Sequence, residues 1–527
     1  MERKRIAIIG SGISGLSTFW TLRNTPHTIH LFEKEDRLGG HTNTVPWTHN
    51  GHTTPVDTGF IVLNTATYPN FIEFLKALNV KTIASEMTFG VSRDAGLFEW
   101  SGTSGAALFA QRFNILSLSF WRMIFDIIRF NQFALDLLSS PPSSSTSSSS
   151  SSSTSSSSSS TSSSHAEMSI GSYLDQEGYS AAFRDDYLIP MTACVWSTGP
   201  DKCALEFPAL TLVRFMWNHH LLSTVAERPP WLTVQGGAKT YVDAVMRECG
   251  NATVHLDTSV ESTVRRDGKV ELTLGGRRSG EVEVFDEVVL ACHGDQARSI
   301  VGVNATSDEK KILDAFETTP NVAYLHSDLS LMPKRRAAWS AWNYLTTSQP
   351  SSKPPNSTSG DLQNVSLTYN MNILQSLPVE TYGDVLVTLN PAKPPAQSLT
   401  QATYQYRHPL YNARMVAAQE DLELIQGKRG IWYAGAWTGY GFHEDGFASG
   451  MKVGLRLGGQ VPWKTKDAKF SRGMQPVLGW KDYVVRAVVV LVQFYITVLE
   501  GIAGIRRKPY TDASNGHAIP NGKAKAA

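Results

Sequence analysis

The 527-residue sequence has little cysteine, no excess of charge of either sign and no uninterrupted apolar run of membrane-spanning length. Its 48 Lys and Arg offset 47 Asp and Glu to a net charge of +1, so the clustered cations of a dedicated nucleic-acid binder are not expected. Four cysteines, Cys194, Cys203, Cys249 and Cys292, lie far apart without a CxxC pair. That spacing argues against a zinc site or a disulfide framework and leaves reduced, buried thiols as the expectation. There is no internal repeat. The N-terminus runs directly into the strand-like RIAIIG without an apolar leader segment, so a secreted protein is not expected and the body should face the cytoplasm.

What is present is a 41% hydrophobic chain long enough for two or three packed units. Residues 139–164 are almost pure serine and are read as a disordered insertion, because such a stretch cannot bury enough apolar surface to offset the entropy of ordering. Just before it, Phe113 to Leu138 carries apolar residues at helical spacing, with Arg122, Asp126 and Arg129 as polar breaks. A helix of the protein body is the first reading of that stretch and a membrane-surface helix the second. Val270 to Cys292 alternates as a hairpin and then leads into a buried strand. The tail, 461–527, is basic, with 11 Lys and Arg against 4 Asp and Glu. Its segment 483–505 is the most apolar in the chain. The charge-free part, 487–499, spans only about 20 Å as a helix against a hydrocarbon core of about 30 Å. Crossing a bilayer would require Arg486 and Glu500 to snorkel or to find partners. Membrane association is expected, by spanning or by lying in the interface.

The stretch IAIIGSGISGLST raises the question of ligand. An apolar strand ends at Gly10, a helix opens after it, and Gly10, Gly12 and Gly15 fit G-x-G-x-x-G/A. In that pattern the first glycine permits the tight turn, the second lets a pyrophosphate reach the backbone, and the third allows close helix packing. Helix N-terminal amides then face the phosphates. A second strand, TIHLFEK, carries Glu33, 23 positions after Gly10 and suited to accept hydrogen bonds from ribose hydroxyls. Its carboxylate also disfavours the 2′-phosphate of NADP. No second nucleotide fingerprint is present.

The run from Gly10 to Thr44 resembles the flavin-containing amine oxidase superfamily, which includes protoporphyrinogen oxidases and carotenoid desaturases and shows the pattern E-x-x-x-R-x-G-G-[RH]. VDTGFIVLN (56–64), WLTVQGGAKTYVDAV (231–245), HLDTSVESTVRRDG (255–268) and IWYAGAWTGYGFHEDGFASGMKVG (431–454) are similar to further motifs of that family. The resemblance implies FAD, expected to be noncovalent because no cysteine stands beside the last of these motifs, and an α/β fold: a Rossmann-like FAD-binding domain with an interleaved α+β substrate domain. It distributes the first over 1–90, 228–300 and 425–460, and the second over 91–227 and 301–424. Its cofactor-binding residues would be Gly10, Ser11, Gly12, Ile13, Ser14, Gly15, Glu33, Lys34, Arg37, Gly39, Gly40, His41, Thr42, Asp57, Gly59 and Val260. Glu444, Asp445, Gly446 and Phe447 would open a helix aimed at the flavin pyrimidine, its positive end stabilising the reduced anion.

In small-amine oxidases an aromatic ring stands where this sequence has His443, which leaves Tyr440 farther out. His443 is the one catalytic candidate, with three roles open to it: proton acceptor with a pKa near working pH, flavin hydrogen-bond donor, or packing residue. His293, His326 and His408 are read as structural, Lys334 to Arg336 as a solvated basic turn. Trp339, Trp342, Tyr344, Tyr369 and Tyr404 either line an apolar tunnel or pack the core. Since a flavin itself takes up the electrons, few acid–base residues are needed. The expected reaction is hydride transfer from a C–N or C–C bond of a fairly apolar, lipid-like small molecule, with reoxidation by oxygen. Desaturation or double-bond isomerisation of acyl or isoprenoid chains is the enzymatic alternative, and a flavin-binding membrane adaptor the non-enzymatic one.

Overall fold

The computed structural model describes residues 2–139, 168–196, 205–223, 228–249, 252–348 and 362–502. The serine tract beyond Ser139, Cys203, much of the loop at 346–361 and the tail beyond Ile502 lie outside the described residues.

Arg5–Ile9 is apolar on both faces, and Ile6, Ala7 and Ile8 are fully buried, the pattern of a central parallel strand covered on both sides. It lies in the middle of a five-stranded, wholly parallel sheet in the order Thr253–His255, Thr28–Phe32, Arg5–Ile9, Glu287–Leu290, Ile431–Tyr433. Three widely separated stretches of chain therefore bring their strand ends together at one edge, where open α/β sheets bind ligands. The hairpin read at 270–292 is present: Lys269–Leu274 pairs antiparallel with Val282–Phe285, and Glu287–Leu290 then enters the parallel sheet.

All nine residues of the helix Ile13–Thr21 are buried. The helix His443–Arg456 lies against it through Gly446, Gly450 and Gly454, a stripe at four-residue spacing. A Cβ on Gly450 would stand 1.9 Å from the Ser14 carbonyl oxygen. The close approach lets Ser17 donate to the Phe447 carbonyl (2.8 Å) and Thr18 to that of Gly450 (2.9 Å). The first and last motifs of the chain are thus one packed unit.

A second, seven-stranded sheet runs Thr400–Pro409, Thr318–His326, Leu386–Leu389, Leu362–Asn370, Trp342–Ser348, Phe89–Arg93, Phe98–Ser101. Its pairs are antiparallel except for Trp342–Ser348 beside Phe89–Arg93. It has its own apolar core, which includes Tyr344, Leu367 and Val387. The stretch read as helical before the serine tract forms Leu118–Phe133, anchored by fully buried Asp126, which accepts from Arg122 Nε and Ser180 N, both at 2.9 Å. The tail forms the helix Trp480–Ile502.

Candidate functional site

A cavity of about 1230 Å3 starts at the carboxyl ends of the parallel sheet and continues to the face of the seven-stranded sheet. Ordinary small-molecule sites occupy about 300–1,000 Å3, so there is room for an extended ligand together with a second molecule.

The glycines at its head are there for different reasons. Gly10 has φ +100°, and a Cβ there would stand 2.7 Å from the Ala291 carbonyl oxygen; one on Gly15 would stand 1.9 Å from that of Gly10. Both are required by the protein itself. Gly12 has nothing within 4 Å of the Cβ position and lines the cavity, leaving its backbone open to a ligand. Glu33 ties this loop down: its Oε2 accepts from Ser11 N (2.9 Å) and Ser11 Oγ (2.6 Å), and its Oε1 from Glu35 N (3.0 Å). That occupies both lone pairs of Oε2 and leaves one on Oε1 for a ligand hydroxyl.

The second glycine pair forms a left-handed turn, with φ +110° at Gly39 and +56° at Gly40. Arg37 is spent on bracing it, donating to the Gly40 carbonyl (2.9 Å) and the Thr42 carbonyl (3.3 Å). Gly39 N donates to Ser11 O at 3.1 Å, which joins the two glycine loops. Gly59 packs on the same turn, a Cβ there standing 2.3 Å from the His41 carbonyl oxygen. Ile13, Ser14, Lys34, Gly40, Gly59 and Val260 all line the cavity.

His41 projects from this turn. Its ring centroid lies 5.1 Å from those of Tyr406 and His408 and 5.7 Å from that of His293, and its buried Nε2 has no hydrogen-bond partner among the described residues. Burial, reinforced by the neighbouring imidazoles, holds its pKa well below the usual histidine value. Burial likewise takes His408 down to about 4, while its Nδ1 accepts from Asn321 Nδ2 at 2.7 Å. His293 and His408, read from sequence as isolated, form the cavity wall with His41.

His443 also faces the cavity. Its Nε2 lies 3.0 Å from the Tyr241 hydroxyl, which lies 2.5 Å from Thr42 Oγ1. Phe60 stacks on the imidazole with centroids 3.5 Å apart, from a backbone with φ +43° that side chains rarely adopt. Burial drives the His443 pKa well below its ordinary value and that of Tyr241 far up. The pair is therefore a neutral hydrogen-bonded wall, an environment unsuited to the first of the three roles, a proton acceptor near neutral pH.

Eight sequence-read residues have side chains turned away from the cavity or stand behind its wall. Ser11, Gly15 and Thr42 act through the contacts above. Asp57 accepts from Thr44 Oγ1 (2.5 Å) and Ala238 N (2.9 Å), fastening the hairpin to the Gly236–Gly237 turn, and burial raises its pKa to about 7. Glu444 accepts from Asn70 N (3.1 Å), Asn70 Nδ2 (2.7 Å) and Phe71 N (2.9 Å), capping the helix Pro69–Ala77. Asp445 caps its own helix by accepting from Phe442 N at 3.0 Å. Burial raises these two carboxyls to about 8 and about 7. Gly446 sits on Ile13 and Ser14, and Phe447 packs among Phe71, Phe74 and Trp463. The helix start does reach the cavity, through Gly441, Phe442 and His443.

Of the aromatics considered from sequence, Trp342, Tyr369 and Tyr404 line the cavity. Tyr344 is fully buried in the core, and Trp339 donates to the Pro333 carbonyl. Tyr406, which the sequence reading missed, accepts from Asn43 Nδ2 (3.0 Å) and lies 2.7 Å from Thr58 Oγ1; only its place in an alternating strand could have suggested it. Lys334 N and Arg335 N donate to Glu99, so that basic turn is braced from within.

Residues 8–78 match the family described as NAD(P)-binding Rossmann-like domain. No curated protein matches the chain. Solved structures similar to it include putrescine oxidase bound to putrescine (14% identity, TM-score 0.56, covering 86% of this chain and 99% of the other). Cyclohexylamine oxidase from Brevibacterium oxydans (13%, 0.55, 86% and 98%) and the CLA-producing fatty acid isomerase from P. acnes (13%, 0.53, 86% and 99%) are others. Together with the parallel sheet, the second sheet and the cavity between them, these likenesses give the chain the amine-oxidase fold, opened by a Rossmann-like dinucleotide-binding unit.

Proposed function

We propose that the protein is an FAD-dependent oxidoreductase acting on a fairly apolar small molecule. The observation that carries this reading is the single cavity that joins the Gly12–Glu33 cradle to the aromatic face of the second sheet, with the unpartnered Nε2 of His41 between them. FAD fits better than NAD(P), the ligand class named for residues 8–78. The cavity continues past the second glycine turn to the 435–443 segment, which a long dinucleotide would fill, and Glu33 opposes a 2′-phosphate.

The glycine loop and the N-terminus of Ile13–Thr21 would hold the pyrophosphate and Glu33 the ribose. The His443 helix start would place its positive end beside the flavin. When bound, the flavin supplies a two-electron acceptor. The chain's own part is to position the substrate, exclude water with Trp342, Tyr369 and Tyr404, and donate a hydrogen bond from neutral His41. Noncovalent attachment is favoured because Cys292, the cysteine on the wall, is held as a thiol by a pKa raised to about 12.

A second reading, desaturation or double-bond isomerisation of an acyl or isoprenoid chain, is favoured by one feature. The acidic lining residues Glu33, Glu35, Asp36 and Glu261 stand at the cradle end, and the second sheet contributes none, so nothing there is built to attract a cationic amine. Anaerobic addition of amines and lipids with product analysis separates the readings. Loss of the flavin band with release of ammonia supports amine oxidation, and a new or moved double bond supports the second. A flavin that no candidate bleaches leaves the adaptor. We further propose membrane contact through Trp480–Ile502, the one described helix long and apolar enough to cross a bilayer.

A further inference from the structure

The tail helix is amphipathic in the wrong sense for water. Its contact stripe against the body is Asp482, Val485, Arg486, Val489, Gln493, Ile496 and Glu500, spaced alternately by three and four positions apart from the adjacent Val485–Arg486 pair. Every acidic residue of the helix and its arginine lie in that stripe and face the protein. Apart from Lys481 at its start and Thr497 near its end, the residues turned outward are apolar or small around the rest of the circumference: Leu491, Phe494, Tyr495 and Leu499 are each more than 60% exposed. A helix on a soluble protein shows the opposite arrangement.

Both charges within the apolar stretch are paired with the body. Arg486 binds Asp136 at 2.9 Å and also donates to the Gln132 carbonyl; Arg122 binds Glu500 at 3.0 Å. Fourteen residues separate the two clamps on each strand of chain, so the tail runs antiparallel to Leu118–Phe133, held at points about 20 Å apart at helical rise. Phe113, Leu116, Leu118 and Trp121, at the end of the pair where Glu500 is clamped, are also exposed and extend the apolar surface beyond the tail.

We propose that the tail helix lies in the plane of a phospholipid leaflet, held lengthwise against the body, and that it and the 113–121 segment together form a monotopic membrane-docking face. A second copy of the chain would cover one stripe of the outward arc, whereas acyl chains cover all of it. Spanning would carry both clamps, with the body helix that holds them, into hydrocarbon. This rests on the membrane contact proposed above and is independent of the flavin.

The test uses the full chain and vesicles of phosphatidylcholine with phosphatidylserine. Flotation should recover the protein with the vesicles. The triple variant L491D/F494D/L499D should bind at least tenfold more weakly, and L116E/L118E should also weaken binding, both with unchanged melting temperature and flavin content. A cysteine at K481C and one appended after Ala527, on the two sides of the tail helix, should both react with an impermeant maleimide added outside. Binding with one of these cysteines protected would overturn the in-plane arrangement and leave membrane contact standing. No vesicle binding, with a soluble dimer that the triple variant dissociates, would overturn both in favour of a second copy.

Discussion

At the scale of single residues, two glycines in one motif predict different failures. Gly12→Ala adds a methyl group to open space, so the protein should keep its melting temperature while its affinity for FAD falls at least tenfold. Gly15→Ala pushes a methyl group into the Gly10 carbonyl and should destabilise the fold by about 1–3 kcal/mol, the usual cost of overpacking. Thermal melts with FAD titration read both. His443, held neutral by burial, predicts a kcat that does not vary with pH between 6 and 8 on its account. An ionisation in that window that disappears in His443→Phe would contradict this. Sequence revealed the glycines because their requirement is local. It could not reveal that Arg37 braces a turn, that Glu444 caps a distant helix, or that His41 faces His408, since those depend on where side chains point after folding.

At the scale of elements, the site exists because Ile13–Thr21 and His443–Arg456 touch along glycine. Gly450→Val should lower the melting temperature and release FAD together, since a side chain there meets Ser14 and Ser17; release without destabilisation would show that the helix contact does not build the site. Two buried carboxyls fasten neighbouring elements and a third caps its own helix: Asp57 is raised to about 7, Glu444 to about 8 and Asp445 to about 7. The folded protein holds protons that the unfolded chain releases near pH 4. Their contribution to stability is complete below about pH 4 and is lost as pH rises through 7 to 8. Melting temperature against pH should fall across that window, less steeply in Asp57→Asn. Strands and hairpin were readable from apolar patterning, whereas the meeting of 13–21 with 443–456 joins opposite ends of the chain and leaves no periodic trace.

At the scale of the whole molecule, two sheets line one cavity and the tail helix turns Asp482, Arg486 and Glu500 toward the body. The fold was legible because glycine turns and buried strands are encoded over short windows. The second sheet contributed little signal, its aromatics reading equally as core or as cavity wall; Tyr344 became the first and Tyr369 the second. The most direct measurement is the absorbance spectrum of the purified full chain, followed by identification of the ligand released on denaturation. The expected result is a yellow protein carrying equimolar FAD that dissociates from the precipitated polypeptide. A colourless protein that takes up NAD and refuses FAD would contradict the account.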